Sequence, residues 1–370
     1  MLENNVNNKN YINILNLLIE KSDQSVLDIS QSLNISQPTI SKNLDLLIEK
    51  KLVLMSGTLT NTGGRNAKVY SPNLNQFFSV GVSVTSEKIS LVILNLKMVT
   101  VFYDSIKIKF QKSNSYYKKL SSFIDSSIKN LKLSKNNIVG ISIALPALVD
   151  PYNQIVTYGG ILNIEYLKVD EIAKFINYPA TIVHDSKAAA YTETRNISED
   201  NFFFYIMIND TVGGGLIINN KIIEGYQNKS AEIGHIKLVI DGKDCYCGGR
   251  GCFDAYCSTK NLTKITNGDL EAFFQLLDSG DSYANEIWET YTDYLAIGIH
   301  DISMLLDCKI IIGGMLGKYI DRYIEIIKCK INDLYPFEGY LDNIESSTCK
   351  FETVAVGSAM MVMDDYINNL

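Results

Sequence analysis

This sequence lacks long apolar runs and a secretion signal, and it has few charged residues. No stretch approaches the roughly 18 consecutive apolar residues of a membrane-spanning helix, which argues against a transmembrane protein. The N-terminus has acidic and Asn residues before its apolar ones and lacks the basic segment of a signal peptide, so we expect a cytoplasmic protein. Charged residues make up 20% of the chain and hydrophobic residues 46%, which indicates a globular protein and excludes a disordered one.

Histidine and cysteine are also scarce, yet they concentrate in one short stretch. The chain has three His and seven Cys in 370 residues. Residues 230–252, "SAEIGHIKLVIDGKDCYCGGRGC", hold one of those His and three of those Cys. Thiols stay reduced in the cytoplasm, so clustered cysteines there indicate a metal site more often than disulfides. The alternative is a set of free buried cysteines beside a core histidine.

The first 75 residues predict a winged helix-turn-helix module. Apolar residues at helical spacing predict a helix over residues 11–20 and a short second helix around 26–33. Ser36 as N-cap and Pro38 in the first turn predict the start of a third helix. Its predicted buried face consists of Ile40, Leu44, Leu47 and Ile48. A strand, a glycine-containing turn and another strand then follow as the wing.

The outward side of the third helix and the wing carry residue types that suit DNA. The candidate DNA-contacting residues are Gln37, Thr39, Lys42, Asn43, Arg65 and Lys68. Such side chains hydrogen-bond base edges and phosphates in the major groove. Residues 1–75 hold seven Lys or Arg against six Asp or Glu, a weak bias toward DNA in a chain of net charge −7. A small helical protein–protein module is the alternative.

The rest of the chain predicts an α/β protein in two halves. Strand–turn–helix patterns with Gly-rich turns occur in residues 76–198 and again in 199–354, and a helix at 355–370 is expected to return to the first half. In such folds ligands bind at the carboxyl ends of the strands. This would place Asp185, a loop at glycines 213–215 and a turn at glycines 313–314 around one cleft.

Seven motifs are spread over nearly the whole chain, namely "TGGRNAKVYSPN", "ALPALVDPYNQIV", "VHDSKAAA", "TVGGGLIINNKIIEG", "AEIGHIKL", "CYCGGRGCFD" and "IIIGGML". Together they resemble the ROK family (repressors, open reading frames and kinases), in its repressor branch with an N-terminal winged helix. The resemblance implies a winged helix-turn-helix joined to an actin-like, two-lobed sugar-kinase fold with a sugar cleft between the lobes.

The resemblance also implies a structural zinc ion next to the sugar site. The implied zinc ligands are His235, Cys245, Cys247 and Cys252. One imidazole and three thiolates are a usual closed, tetrahedral set for Zn²⁺. The remaining cysteines are expected to be small core residues; they are Cys257, Cys308, Cys329 and Cys349.

The sugar ligands implied by the resemblance are acidic and imidazole groups. They are Asp185, Glu232, His235 and Asp254, with His184 beside them. Carboxylates accept hydrogen bonds from sugar hydroxyls, and a dry cleft strengthens these bonds. Asp185 could instead cap the helix that begins near Ser186. His184 would make sugar binding sensitive to pH near neutrality.

Phosphoryl transfer is expected to be lost. Kinases of the family carry an Asp-x-Gly-Gly-Thr turn that binds phosphate in the first hairpin. Here Ser83 stands at the Asp position, and Thr-Ser-Glu at residues 85–87 replaces Gly-Gly-Thr. The second phosphate loop keeps only its glycine half. Asp185 matches the kinase base, but without a phosphoryl donor we expect it only to bind a sugar hydroxyl.

The expected function is therefore sugar-responsive transcriptional regulation, most simply repression of carbohydrate-utilisation genes. The partners would be a double-stranded DNA operator, a monosaccharide or sugar derivative, and further copies of the chain in a homodimer or homotetramer. Sugar that closes the cleft would change the spacing of the two winged helices on DNA. The alternatives are a sugar kinase with an accessory DNA-binding domain and a regulator that answers to a protein partner.

Overall fold

A helical unit with a small antiparallel sheet forms the N-terminal module. Its elements are α1 (Leu2–Lys21), β1 (Gln24–Ser25), α2 (Val26–Leu33), α3 (Gln37–Glu49), β2 (Val53–Leu59) and β3 (Ala67–Pro72), with strand order β1-β3-β2. The computed structural model describes residues 2–59, 67–195, 202–334 and 343–370. The predicted wing residue Arg65 therefore lies outside the described residues. The helices and the strand pair match the predicted winged helix-turn-helix.

Local interactions fix the two ends of α2, before the turn that leads to α3. A capping box starts α2, because Asp28 N donates to Ser25 Oγ at 3.2 Å and Ser25 N donates to Asp28 Oδ2 at 2.9 Å. Asn34 ends α2 in the left-handed conformation, which short polar residues adopt at little cost. Ser36 has the extended backbone of an N-cap, but its Oγ lies 2.8 Å from Thr39 Oγ1 and makes no capping bond.

Helix α3 buries one face, with two corrections to the sequence prediction. The predicted core residues Ile40, Leu44 and Leu47 are fully buried. The prediction that Asn43 points outward is wrong, since Asn43 is 2% exposed and its Nδ2 donates to Thr39 O at 2.8 Å. Ile48, predicted to be buried, is 37% exposed. At 100° per residue, Asn43 and Ile48 lie on opposite margins of the face formed by Ile40, Leu44 and Leu47, each about 70° from its centre, so helical spacing alone does not separate them.

The first lobe is a five-stranded sheet in the order β11-β7-β4-β5-β6 with helices packed on it. Its elements are β4 (Phe78–Val84), β5 (Lys88–Asn95), β6 (Thr100–Lys107), α4 (Asn114–Asn130), β7 (Ile138–Leu145), β8 (Leu148–Asp150), β9 (Ile155–Tyr158), β10 (Leu167–Lys168), α5 (Val169–Ala173), β11 (Ala180–His184) and α6 (Asp185–Tyr191). Strand β7 pairs in parallel with β4 and β11, and β8–β10 form a small separate sheet. The predicted buried strand at 138–145 is confirmed.

The second lobe is another five-stranded sheet, in the order β14-β13-β12-β15-β16, beside a group of helices. Its elements are β12 (Phe202–Ile208), β13 (Val212–Ile218), β14 (Lys221–Ile222), α7 (Asp254–Cys257), α8 (Thr259–Leu262), α9 (Leu270–Asp278), α10 (Ser282–Leu306), β15 (Lys309–Gly314), α11 (Ile324–Leu334) and β16 (Ile344–Ser346). Within the described part of the chain, no helix has both the length and the apolarity of a membrane span.

Glycines 213–215 lie in strand β13, not in a loop as predicted. A Cβ at Gly213 would collide with Ser186, and a Cβ at Gly215 would collide with Ala190. Both of those neighbours belong to helix α6. The glycines therefore allow α6 to pack directly on β13, which brings the first lobe's helix against the second lobe's sheet.

The last helix, α12 (Thr353–Asn368), begins two residues earlier than the sequence predicts and packs on the first lobe. A Cβ at Gly357 would overlap with Ala188 O of α6, so these two helices touch at backbone distance. The other end of α12 supplies Met363 and Ile367 to an apolar cluster that also contains core residues of α1 and α3. Helix α12 thus contacts both α6 and the N-terminal module.

Cysteines outside residues 230–252 divide by burial. Cys257 and Cys308 are buried core residues, as expected. Cys349 is half-buried and Cys329 is exposed on α11, so the expectation that both are core residues is wrong. The buried stripe of α11 includes Ile327 and Ile331, and Cys329 lies on the other side of the helix.

Candidate functional site

A cavity of about 400 Å³ lies between the two lobes. The first lobe lines it with Pro146, Ala147, Leu148, Tyr158, Gly159, Gly160, Ile161, His184 and Asp185. The second lobe lines it with Met207, Thr211, Val212, Gly213, Lys229, Glu232, His235, Tyr246 and Cys247. Four of the five predicted sugar-site residues thus share one cavity, and Asp254 is not among its lining residues.

Asp185 and His184 stand at the junction of strand β11 and helix α6. The strand ends at His184 and the helix begins at Asp185, so both side chains emerge at the carboxyl edge of the sheet. Asp185 Oδ1 accepts a hydrogen bond from Ser186 N at 2.7 Å and lies 3.6 Å from His184 Nε2. Ser186 Oγ donates to Gly214 O at 2.7 Å, which fixes this junction against the second lobe.

Glu232 faces Asp185 and His184 from the second lobe. It directly precedes a short 3₁₀-helix, Ile233–His235. Its Oε1 is buried and has no hydrogen-bond donor; the nearest polar partner is His184 Nδ1 at 3.9 Å. A buried carboxylate oxygen without a donor is costly, and native proteins seldom leave one unsatisfied. The oxygen therefore marks a position where a bound molecule would place a hydroxyl or amine.

Burial sets the protonation of these three groups. Burial, together with the smaller effect of the nearby Glu232 carboxylate, raises the pKa of Asp185 to about 7, although the hydrogen bond from Ser186 N opposes the shift. Burial likewise raises the pKa of Glu232 to about 7, although the Lys187 ammonium opposes the shift. Burial and Lys187 together lower the pKa of His184 to about 3. The expectation that His184 titrates near neutrality is therefore wrong; the carboxyl groups titrate there.

Asp254 occupies a different position from the one expected. It is 6% exposed, and its Oδ2 accepts a hydrogen bond from Val212 N at 2.6 Å. Burial raises its pKa to about 6, while the Val212 bond opposes that shift. Asp254 thus holds the start of β13, behind the cavity wall, because its place at the beginning of α7 aims the carboxylate at that backbone.

The predicted metal ligands converge on one point. The ligand atoms of His235, Cys245, Cys247 and Cys252 all lie within 4.8 Å of one another. Cys247 Sγ is 3.8 Å from Cys252 Sγ, and Cys245 Sγ is 3.9 Å from His235 Nδ1. Zn–S bonds of about 2.3 Å in a tetrahedron separate two sulfur atoms by about 3.8 Å. The geometry and the donor set therefore fit a tetrahedral metal ion.

Two further features support the metal cluster. Gly251 has a φ of +71°, and a Cβ there would collide with Val239 O, so the chain before Cys252 can turn only with glycine. Lys237 Nζ lies 3.1 Å from Cys252 Sγ and 2.6 Å from Arg250 O. The positive charge of Lys237, three cysteine thiolates and a divalent cation would together sum to a net charge of zero.

His235 connects the metal cluster to the cavity. Its Nδ1 faces Cys245, while its Nε2 lies 3.3 Å from Tyr246 OH at the cavity wall. Because Glu232 and His235 flank one 3₁₀ turn, with His235 N donating to Glu232 O at 3.1 Å, a metal ion on His235 would also fix Glu232.

Sequence reasoning missed three large polar side chains of the cavity wall, namely Tyr158, Lys229 and Tyr246. Tyr246 lies between two of the metal ligands in "CYC", and Lys229 lies three residues before Glu232. Their closeness to predicted ligands was the available signal. Tyr158 ends strand β9, and no sequence pattern connects that strand to the cleft.

The candidate DNA-contacting residues do not all share one exposed face. Gln37 and Lys42 are exposed on α3 and Lys68 is exposed on β3, whereas Thr39 is half-buried and Asn43 is buried. Ser41 and Asp45 are also exposed on α3. The exposed side of α3 therefore offers one cation, Lys42, and two carboxylates, Asp45 and Glu49, together with neutral polar groups.

The turn between β4 and β5 is closed by a side chain. Thr85 Oγ1 accepts from Lys88 N at 3.1 Å and from Glu87 N at 3.4 Å. Lys88 in turn pairs with Glu352 at 3.1 Å, at the start of α12. The backbone N–H groups that a phosphate-binding turn would direct at a ligand are thus used within the hairpin.

Comparison with protein families gives two matches. The profile of the ROK family matches residues 79–365. The profile described as winged helix-turn-helix DNA-binding matches residues 8–53. The first match covers the two lobes with the cavity between them, and the second covers the helices of the N-terminal module.

Relatives of known function include xylose repressors. The xylose repressor of Bacillus spizizenii is 24% identical over 368 residues, covering 96% of this chain and 95% of the relative. That of Bacillus subtilis is 27% identical over 301 residues, covering 78% and 77%. The N-acetylmannosamine kinase of Shigella boydii is 27% identical over 187 residues, covering 49% of this chain and 62% of the relative.

Solved structures share the fold. A ROK family transcriptional regulator, described as a homolog of the E. coli MLC protein, superposes with a TM-score of 0.79 at 19% identity, covering 98% of this chain and 97% of that one. A ROK family glucokinase from Streptomyces griseus, in complex with glucose and AMPPNP, superposes with a TM-score of 0.63 at 19% identity, covering 77% and 98%. The predicted fold class is confirmed.

Proposed function

This chain belongs to the ROK family, and from that membership we propose that it is a sugar-responsive, DNA-binding transcriptional repressor. A monosaccharide or sugar derivative would bind in the cavity between the lobes and change the affinity of the winged helix-turn-helix for an operator. The repressed genes would serve carbohydrate use, as the name xylose repressor says of the relatives from Bacillus.

The observation that carries the proposal is the buried, donor-free oxygen of Glu232 in the cavity, opposite Asp185. Two carboxyl groups with pKa values of about 7 suit neutral hydroxyls or an amine. Among the cavity-lining residues in the described part of the chain, the one cation is Lys229, which is exposed and whose Nζ lies 3.4 Å from Gln227 Oε1. An unphosphorylated sugar is thus favoured over a sugar phosphate, whose charge the carboxylates would repel.

The four-residue cluster would hold a structural Zn²⁺. His235 and the three cysteines would supply all ligands, leaving no open position for catalysis. When bound, the ion would rigidify the segment that carries Glu232, and it would contribute folding energy. These residues thus serve the cavity indirectly, by fixing its second-lobe wall.

Loss of phosphoryl transfer is part of the proposal. The hairpin turn at residues 85–87 has no glycine, and its N–H groups bond within the turn. The glycines of β13 serve helix packing against Ser186 and Ala190. Phosphoryl transfer depends on backbone and cationic groups placed around the phosphates. Asp185 would therefore accept a hydrogen bond from a sugar hydroxyl, but it would not remove the hydroxyl proton for an attack on a phosphate.

A thermal-shift screen tests this function. Zinc-loaded protein would be melted with monosaccharides, amino sugars, sugar phosphates and ATP. A ligand at 100 times its Kd stabilises the fold by about 2.7 kcal/mol, which shifts Tm visibly. We expect a shift with one class of unphosphorylated sugar and none with ATP. No shift with any sugar would contradict the sensor and favour control by a protein partner.

One observation favours a second candidate, a sugar kinase with a DNA-binding module. Asp185, with a pKa of about 7, stands where the family's kinases have their base, and such a pKa suits proton transfer at neutral pH. This candidate requires sugar-dependent consumption of ATP that Asp185→Asn abolishes. A coupled assay for ADP release distinguishes it, and we expect no ADP above background.

A further inference from the structure

Lys187 is a buried charge that the proposed ligand site does not by itself explain. It lies two residues after Asp185 on α6 and is 3% exposed. Lysine is almost never fully buried unless it is paired. Its Nζ forms an ion pair with Glu224 Oε2 and lies 3.4 Å from Asn228 O. Both acceptors belong to residues 223–231, the segment that connects β14 to Glu232.

This segment has a backbone that needs outside support. Gly225, Asn228 and Ala231 have φ values of +79°, +57° and +65°. The left-handed conformation is unfavourable for a residue such as Ala, so it persists only where surrounding contacts impose it. Inside the segment, Ser230 N donates to Glu224 O at 3.1 Å, which closes the loop over the Lys187 ion pair.

The same segment places two groups in the cavity wall. Lys229 lies at its rim, and Glu232, with its donor-free Oε1, follows one residue after Ala231. The positive charge of Lys187 also acts on the cavity, since it lowers the pKa of both Glu232 and His184. Lys187 thus contacts residues 223–231 and also balances part of the negative charge beside Asp185.

We propose that Lys187 is a positioning residue for the ligand site. Its ion pair with Glu224 tethers residues 223–231 to α6 and so holds Glu232 opposite Asp185. The consequence for sugar affinity rests on the proposed function, whereas the tether itself does not. Helix α6 thereby fixes both sides of the cavity: Asp185 directly, and Glu232 through Lys187.

Hydrogen exchange of the ligand-free full chain tests the tether. Lys187→Met keeps the length of the side chain and removes its charge. We expect the amides of residues 223–232 to exchange at least about tenfold faster than in the wild type. Exchange in this segment at the wild-type rate would overturn the tether, whether or not any sugar binds.

Sugar affinity, measured by calorimetry with the sugar that shifts the wild-type Tm, tests the positioning. Lys187→Met should weaken binding at least about tenfold. The double variant Lys187→Met/Glu224→Met replaces the buried pair with apolar groups, which often restores stability. We expect it to regain Tm but not affinity. Recovery of both would reduce Lys187 to a structural role and overturn the proposal.

Lys330→Met is the matched control. Lys330 is a half-buried lysine that pairs with Glu289 and Asp293 on the second lobe, away from the cavity. The Lys330→Met variant should have a lower Tm but unchanged amide exchange in residues 223–232 and unchanged sugar affinity. If the wild type binds no sugar, the proposed function fails, and the exchange experiment still decides the tether.

Discussion

At the scale of single residues, the central feature is a pair of carboxyl groups that burial keeps close to half-ionised near neutral pH. Asp185 and Glu232 face each other from different lobes, and each has a pKa of about 7. A charged acceptor forms stronger hydrogen bonds with hydroxyls than a neutral one. Their ionisation therefore links ligand binding to pH.

The first prediction concerns that link. Because both pKa values are raised above 3.8 and 4.5, the ligand-free fold binds extra protons between about pH 4 and 7. These groups therefore stabilise the fold less as pH rises through that range, while the ionised form that accepts sugar hydroxyls becomes more abundant. Sugar affinity should rise between pH 6 and 8 and then level off. Calorimetric titrations at several pH values measure this, and a constant affinity would contradict it.

The second prediction concerns Asp185 alone. Asp185→Asn removes a charged acceptor, and hydrogen bonds to charged groups contribute about 1.5–3 kcal/mol. Sugar affinity should fall roughly 10- to 100-fold, with much less pH dependence. Asp269→Asn is the matched control, since Asp269 caps α9 through Ala272 N at 3.0 Å and lies outside the cavity wall. Equal effects of both variants would mean that Asp185 only caps its helix.

At the scale of structural elements, the loop that carries the predicted metal ligands and helix α3 can be tested separately. The loop is tested through metal and sugar binding, and the helix through DNA binding. The loop of residues 235–252 has little regular structure of its own, apart from bridges between Lys237 and Cys252 and between Asp244 and Arg250. Loops of this kind depend on a metal ion for rigidity.

The third prediction follows for that loop. On the proposed zinc site, Cys252→Ser should release the ion, lower Tm and weaken sugar binding, because an ion on His235 would fix Glu232. Elemental analysis together with melting curves measures the first two effects. Cys308→Ser alters a buried cysteine outside the cluster and should keep the metal. Full zinc content in Cys252→Ser would contradict the four-ligand site.

The fourth prediction concerns α3. Lys42 is its exposed cation, so Lys42→Ala should weaken binding to every DNA sequence and reduce the salt dependence, d log K/d log[salt], by about one. Sugar affinity should not change. Lys118→Ala, an exposed lysine on α4, is the control and should leave DNA binding intact. Fluorescence anisotropy at several salt concentrations separates the two variants.

Much of this architecture could be predicted from local sequence, and the failures have a common cause. The buried strand at 138–145 depends on an apolar run, and the start of α3 depends on Pro38 in its first turn; both signals are local. Glycines 213–215 lie in a strand that packs against α6 of the other lobe. This is a tertiary contact, which a local sequence pattern does not contain. The same holds for Asp254, which faces Val212, and for Lys187, whose partner is 37 residues away.

At the scale of the whole molecule, one continuous packing path connects the cavity to the DNA-binding module. Helix α6 begins at Asp185 and touches α12 at Gly357. The far end of α12 places Met363 in the apolar cluster of α1 and α3. A lobe movement that shifts α6 would therefore be transmitted to the winged helix-turn-helix through α12.

The fifth prediction addresses the path. Met363→Ala removes a fully buried side chain from the contact between α12 and the N-terminal module. Sugar and DNA should each still bind, but their mutual effect should shrink. Anisotropy titrations with and without saturating sugar give the coupling factor. Ile128→Ala, a buried residue of α4 in the first-lobe core, is a control for lost packing alone. A wild-type coupling factor in Met363→Ala would exclude this path.

The most direct test of the sensor is the effect of sugar on DNA affinity in the wild-type chain. A duplex would be selected from random double-stranded DNA by repeated binding to the full-length protein, and its Kd measured with and without the sugar that shifts Tm. Coupling free energies are typically about 1–3 kcal/mol. We therefore predict a 5- to 150-fold change in Kd on addition of sugar. An unchanged Kd at saturating sugar, or the absence of any selected duplex, would contradict the account.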